Sequence, residues 1–188
     1  LKHCKTAKIA KDVLSVDTLV VVTHVTGHGG VGLGASIKNT GMGLSSRGGK
    51  QIQHSGILPQ VNEANCRACG ECAKWCPADA ITVEDKARID PDACIGCGEC
   101  TVTCQFKAIA VRWDESSINL QEKMAEYAYA VIRNIKGKSC FFNFLINVTK
   151  ECDCLRREQE VSFSSVGILA STDVVAVDQA AFDILQDR

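Results

Sequence analysis

Two stretches of this 188-residue chain, "CRACGECAKWCPADAITV" at 66–83 and "CIGCGECTVTCQFKAIAV" at 94–111, hold eight of its twelve cysteines. A shift of 28 positions carries Cys66, Cys69, Cys72 and Cys76 onto Cys94, Cys97, Cys100 and Cys104, and Ala80, Ile81 and Val83 onto Ala108, Ile109 and Val111. The region is an internal duplication. Each half reads C-x2-C-x2-C-x3-C, and the first adds Pro77. Three thiolates spaced this closely wrap a tight loop round one corner of an iron–sulfur cubane, while the fourth serves a second cluster. The expected ligands are Cys66, Cys69, Cys72 and Cys104 for one [4Fe-4S] cluster, and Cys94, Cys97, Cys100 and Cys76 for the other. Gly70, Gly96 and Gly98 leave the ligand loops free to take unusual dihedrals.

Other uses of thiols fit less well. Zinc would take two separated C-x2-C pairs and leave the middle cysteines without a role. A disulfide framework belongs to a shorter, loop-rich secreted chain without long Val/Ile/Leu segments, so a reducing cytoplasm is expected. A purely structural cluster stays open as an alternative, although two clusters on one compact scaffold suit one-electron relay. Trp75, Phe106 and Trp113 are candidates either to shield the clusters from water or simply to fill a core.

A second set of candidates lies outside the duplication. Gly27, Gly29 and Gly32 satisfy G-x-G-x-x-G directly after an apolar run, but the next acidic residue is Glu63, too far on for the ribose contact of a dinucleotide site. No Walker-type phosphate loop is present. What survives is a more general expectation, an anion held by loop amides around Gly29, Gly30 and Gly32 with Lys38, Arg47 and Lys50. The bland reading is a close-packed loop with solvated basic residues. "ECDC" at 151–154 follows another apolar run, and Cys152 and Cys154, two apart, point the same way on an extended chain. They could share a metal, form a redox pair, or be small buried hydrophobes. Lys38, His54, Cys152 and Cys154 are the catalytic candidates. His24 and His28 are candidate ligands or acid–base groups, and as single residues are more often structural.

The elements that must position these groups follow from patterning. "TLVVVTHVT" at 18–26 reads as a strand buried on both faces, after a short helix around 7–14. Ile118, Met124, Ala125, Ala128, Val131, Ile132 and Ile135 recur at helical spacing, with Ser116 or Ser117 as cap and Gly137 as terminator. "CFFNFLINVT" and "SSVGILAS" read as strands. "DVVAVD" reads as a short strand ending at Asp178, a cap for the helix "QAAFDILQ". The expected class is α/β, a mainly parallel sheet with helices carrying an inserted α+β ferredoxin-like module. The expected boundaries are 1–60, 61–112 and 113–188, with Trp113 and Asp114 closing the module. A formal net charge of −1 gives no sign of a nucleic-acid surface, and no apolar run is long enough to insert in a membrane.

The module resembles the bacterial two-cluster ferredoxins over its full length, with Gln105 where their second motif carries proline. Beyond it, "GLGASIKNTGMGLSSRGGKQIQHS", "QEKMAEYA", "FFNFLINVTKECDC" and "VGILASTDVVAVDQAAFD" resemble the domain of unknown function 362 family across nearly the whole chain. Thr26 and Lys150 stand where that family often has a basic residue and proline. The resemblance implies an iron–sulfur protein with a ferredoxin insert in an α/β domain, and a further α/β segment upstream of Leu1. The functional expectation is electron transfer through two [4Fe-4S] clusters, to or from a redox partner protein or a small-molecule substrate. The alternatives are a redox enzyme acting on an anionic substrate at the glycine-loop and CDC residues, and a non-redox anion-binding protein with structural clusters.

Overall fold

Strict alternation of buried and half-buried residues along 139–145 marks the strand on which the larger part of the fold is built. The computed structural model describes residues 1–54, 58–110, 117–135, 138–155 and 158–187. In chain order the first elements are β1 (Leu19–His24), β2 (Thr26–His28), β3 (Gly32–Gly34), α1 (Ser36–Lys38), α2 (Arg47–His54) and β4 (Gln60–Val61). Then come α3 (Glu71–Lys74), β5 (Ile81–Val83), β6 (Ala87–Ile89), α4 (Glu99–Thr103), β7 (Ile109–Ala110) and α5 (Ser117–Asn134). The last are β8 (Ser139–Leu145), β9 (Val148–Thr149), β10 (Val161–Phe163), β11 (Gly167–Ser171) and α6 (Val174–Gln186). Two compact units result: Leu1–Ser46 with Ser117–Arg188, and Arg47–Ser116.

The first unit is a mixed α/β layer around a sheet ordered β1-β8-β11. β1 runs parallel to β8, with Leu19 opposite Ser139 and His24 opposite Phe144. β11 runs antiparallel to β8, so the sheet is mixed where a mainly parallel one was expected. Val21, Phe141 and Val177 form the core on the face covered by α6. On the other face Val20 and Val22 are 56% and 62% exposed, so β1 is buried on one face and not on two. The burial of a side chain such as Phe141 contributes about 1.5–3 kcal/mol.

Three further expectations change. Residues 7–14 give a 3-10 turn, Lys11–Ser15, because Ile9 bridges to Ser45 and the Ala10 amide donates to Leu44 O, which holds that stretch extended. "CFFNFLINVT" breaks into β8 and β9 at Asn147, which takes φ +51°. "DVVAVD" is not a strand but the cap and opening turns of α6. The Asp173 carboxylate accepts from the Val175 and Ala176 amides, and Val177 packs into the core. Asp178 is therefore an internal residue of α6, and its carboxylate accepts instead from the Ser36 and Ile37 amides at the start of α1. The long helix α5 was expected from Ile118, and Ser117 is its first residue rather than its cap. Ser116, Gly137, Trp113 and Asp114 lie outside the described residues.

The second unit shows the 28-residue duplication in its backbone. Gly70 and Gly98, which precede α3 and α4, both take φ +78°. Ala68 and Gly96 take φ +51° and +62°, and Asp79 and Lys107 take +49° and +51°. The Asn62 amide donates to Ala108 O, as the Asp90 amide does to Ala80 O. β5 pairs with β6, and β4 with β7, so the first and last strands of the duplication close on each other. α2 belongs to this unit: Gly48 lies against Gly96 and Cys97, and Arg47 pairs with Glu99 at 2.6 Å. The unit thus starts at Arg47, before the position 61 expected from composition.

Candidate functional site

In the cysteine unit the turns set the thiols. Cys66, Cys72 and Cys100 are each 7% exposed; Cys76, Cys94, Cys97 and Cys104 are half-buried, and Cys69 is exposed. One recess is lined by Cys66, Cys69, Cys72 and Cys104, with Val83 and Phe106 among its apolar walls. The fourth thiol there comes from the second half of the duplication. Amides point at sulfur in matching positions: Ala80 donates to Cys76 at 3.3 Å and Ala108 to Cys104 at 3.2 Å, while Ala87 donates to Cys66 at 3.4 Å. Amide donation from Ala87 and then Ala68 holds the Cys66 thiol below its ordinary pKa.

The other thiols crowd one another. Burial raises the Cys72 pKa, and Cys69 and Cys104 add to the rise. Burial pushes Cys100 up to about 12, helped by Cys97, Cys94, Cys72 and Cys76. Thiols of both halves act on each buried one: Cys69 and Cys104 on Cys72, and Cys97, Cys94, Cys72 and Cys76 on Cys100. Among the described residues no three His, Cys, Asp or Glu side chains form a group that could hold a single metal ion. The recess thiols line a volume rather than converge on a point. Gln105 leaves its turn intact: the Lys107 amide donates to Cys104 O just as the Asp79 amide donates to Cys76 O. Trp75 is 57% exposed and does not shield the thiols, whereas Phe106 lines the recess; Trp113 lies outside the described residues.

In the α/β unit the chain brings Lys38, Cys152 and Cys154 together. Lys38 Nζ donates to Cys152 Sγ at 2.9 Å, and the Cys154 amide donates to the same sulfur at 3.3 Å. A pocket of about 170 Å³ is lined by Lys38, Cys152, Cys154, His24, Thr26 and Asn39, among others. Burial opposes ionisation of Cys152, but the Cys154 hydrogen bonds and the Lys38 ammonium outweigh it and lower the pKa. Burial and the neighbouring Cys152 raise that of Cys154. His24 donates from Nε2 to Ile146 O at 2.8 Å and meets Asp153 with Nδ1 at 2.7 Å. Burial pulls its pKa down, yet Asp153 and the Ile146 carbonyl prevail and raise it. His28 goes the other way through burial and the charge of Lys38.

The scaffolding of this pocket is mostly buried and polar. Asp178, Asn143 and Ser36 form a hydrogen-bonded group: Asn143 Nδ2 reaches Asp178 at 2.8 Å and the Ser36 hydroxyl reaches Asn143 at 2.8 Å. Asp178 thereby fixes α1, whose last residue is Lys38. Gln159 clamps the thiol loop, accepting from the Glu151 amide and donating to Cys152 O. Sequence reasoning missed Asn143, Asp153 and Gln159, and misread the role of Asp178. An Asp inside an apolar helical run was the signal available for the last.

The glycine loop does meet "ECDC": a Cβ on Gly27 would stand 2.1 Å from Lys150 O, so only glycine permits the approach. Its amides, however, are engaged within the chain. Gly29 donates to the Glu151 carboxylate and Gly30 to His28 Nδ1, while Gly32 takes φ +81° at the start of β3. β2 and β3 form an antiparallel pair, not the strand-to-helix turn of a dinucleotide site. Arg47, Lys50 and His54 lie on α2 in the other unit.

These features define a mixed α/β protein in which a duplicated cysteine unit interrupts a unit carrying its own thiol–lysine pocket. A family model described as "Domain of unknown function (DUF362)" matches residues 1–183, and the chain belongs to that family. Comparison with curated proteins finds no match. Among the described residues no helix is long and apolar enough to cross a membrane.

Proposed function

We propose that the chain is an electron-transfer protein whose cysteine unit is a two-cluster, ferredoxin-like module. Cys66, Cys69, Cys72 and Cys104 would hold one [4Fe-4S] cluster, and Cys94, Cys97, Cys100 and Cys76 the other. The observation that carries this reading is a duplicated backbone in which Cys104 of the second half lines one recess with Cys66, Cys69 and Cys72 of the first. The donor set fits the group. Buried thiols that raise one another's pKa become thiolates readily only beside strong positive charge, and bound iron supplies it. When bound, each cluster takes up or releases one electron. The chain's own part is to bind, to donate amides to Cys66, Cys76 and Cys104, and to keep water from the recess with Val83 and Phe106. Electrons would pass to or from a redox partner protein or a small-molecule substrate, in the reducing cytoplasm that free thiols suit.

Anaerobic reconstitution tests it. About eight iron and about eight acid-labile sulfide per chain are expected for two cubanes. Zinc without sulfide would overturn the reading, and clusters that resist both reduction and oxidation would make them structural. A second reading, a redox enzyme acting on an anionic substrate in the α/β unit, is favoured by Lys38 in the pocket with Cys152 and Cys154. Substrate-dependent reoxidation of the reduced protein that is lost in Lys38→Met would separate it from a plain carrier.

A further inference from the structure

Lys38 and Cys152 make an unusual pair for a structural core. A buried cysteine that only fills space behaves as a small hydrophobe and gains nothing from an ammonium group at its sulfur. A lysine, for its part, loses hydration when half-buried and needs a charged or strongly accepting partner. Here the partner of Lys38 Nζ is the Cys152 sulfur at 2.9 Å, and the Cys154 amide adds a second donor. Next to it the Cys154 side chain is exposed, and both sulfurs line one pocket of about 170 Å³. The loop between them is pinned, since Asp153 is tied to His24 and Gln159 holds the Cys152 carbonyl.

We propose that Cys152 and Cys154 form a dithiol–disulfide couple that exchanges with low-molecular-weight disulfides, with the Lys38 ammonium holding Cys152 as the attacking thiolate. The Cys152 sulfur attacks one sulfur of the small disulfide, a new S–S bond forms, the old one breaks, and one thiolate leaves. Cys154, losing its proton to solvent or to that thiolate, then attacks the Cys152 sulfur and releases the second thiol. The protein dithiol is oxidised by two electrons and the small disulfide is reduced to two thiols. The lowered pKa of Cys152 and the raised pKa of Cys154 agree with this division of attacking and resolving roles. The inference goes beyond the electron-transfer reading and requires nothing of the cysteine unit, so either can fail alone.

Trypsin releases both sulfurs in one peptide, ECDCLR. Treating the anaerobically purified full chain with 2-hydroxyethyl disulfide near neutral pH should remove two hydrogens from that peptide. Cys154→Ser should stop at a mixed disulfide on Cys152, and Cys152→Ser should label Cys154 far more slowly. Lys38→Met should slow the reaction about three- to tenfold, the thiolate fraction falling while nucleophilicity partly compensates. Lys38→Arg, which keeps the charge, should restore most of the rate, with circular dichroism reporting that each variant is folded. An ECDCLR peptide that stays a dithiol would overturn the proposal. So would equal labelling rates in the two serine variants, or a Lys38→Met rate equal to that of the unaltered chain.

Discussion

In the cysteine unit, eight thiols sit on short turns that recur after 28 residues. The chain's own amides favour ionisation of Cys66, while burial and neighbouring sulfurs oppose that of Cys72 and Cys100. Cys100 is pushed up to about 12 by burial and by its sulfur neighbours, and on the proposed reading a bound cluster would supply the missing positive charge. At the pocket of the α/β unit the two sulfurs are neighbours in sequence: Cys154 conditions Cys152 locally, and the remaining contacts come from afar. Lys38 supplies the positive charge, Asp178 sets the helix that carries Lys38, and Gln159 and His24 fix the loop. Burial disfavours ionisation in both places, and the sign of the net shift is decided by the hydrogen bonds and charges that reach each sulfur. On the two proposed readings the crowded thiols would await bound iron, while the thiol beside Lys38 would act as a nucleophile.

The sharpest way to break this contrast is to remove one thiol of the crosswise set. If Cys76 serves the group of Cys94, Cys97 and Cys100, Cys76→Ala should lose about half of the iron, with the surviving cluster that of Cys66, Cys69, Cys72 and Cys104. Resonance spectra of the singly reduced protein would identify the survivor. Loss of the cluster built on the neighbours of Cys76 in sequence would refute the pairing. Thiol exchange at Cys152 should not change in this variant, because the charge that conditions it is Lys38.

A smaller effect is expected from Gly27→Ala. Its Cβ would fall 2.1 Å from Lys150 O, and backbone atoms cannot give way as a flexible side chain can. The strain should cost about 1–3 kcal/mol, read by denaturant unfolding. Lys150 lies two residues from Cys152, so the exchange rate there should change as well. An unaltered stability together with an unaltered rate would show that the glycine loop does not hold the thiol loop.

The comparison also separates what the amino-acid pattern could reveal. The duplicated cysteine loops were legible because their geometry is local: C-x2-C-x2-C spacing, Gly70 and Gly98 in the left-handed region, and a repeat that aligns without gaps. The meeting of the glycine loop with "ECDC" was also legible, since both follow apolar strands that pair in the sheet. The use of the loop amides was not, because Glu151, the acceptor of the Gly29 amide, carries no mark that distinguishes it from a solvated carboxylate. α6 was misread for a related reason. Val174, Val175 and Val177 carry strand propensity, and the Asp173 cap together with burial of Val177 overrides it. β1 looked doubly buried because alternation disappears when exposed positions are also valine, as Val20 and Val22 are.

The smallest predicted effect tests whether the α/β pocket is pinned as described. His24 meets Asp153 through Nδ1 and donates to Ile146 O through Nε2, so both ring nitrogens are best satisfied in the protonated form. Burial works against that form, but the hydrogen bonds outweigh it and the folded pKa lies above the ordinary 6.5. A raised folded pKa means the native state binds this proton more tightly than the unfolded chain. Its stabilising contribution is therefore complete below 6.5 and fades as the pH rises through the higher folded value. The ring is a third exposed, which screens the pair and keeps the contribution to stability small. Imidazole resonances followed through a pH titration should give a His24 midpoint above 6.5, and Asp153→Asn should bring it down. Cys152 keeps its Lys38 contact in that variant but its loop loses one anchor, so exchange should change less than in Lys38→Met. A His24 midpoint that ignores Asp153→Asn would mean that the loop is not tied to β1 through Asp153, and that Gln159, Lys38 and the glycine loop hold the two thiols in place without it.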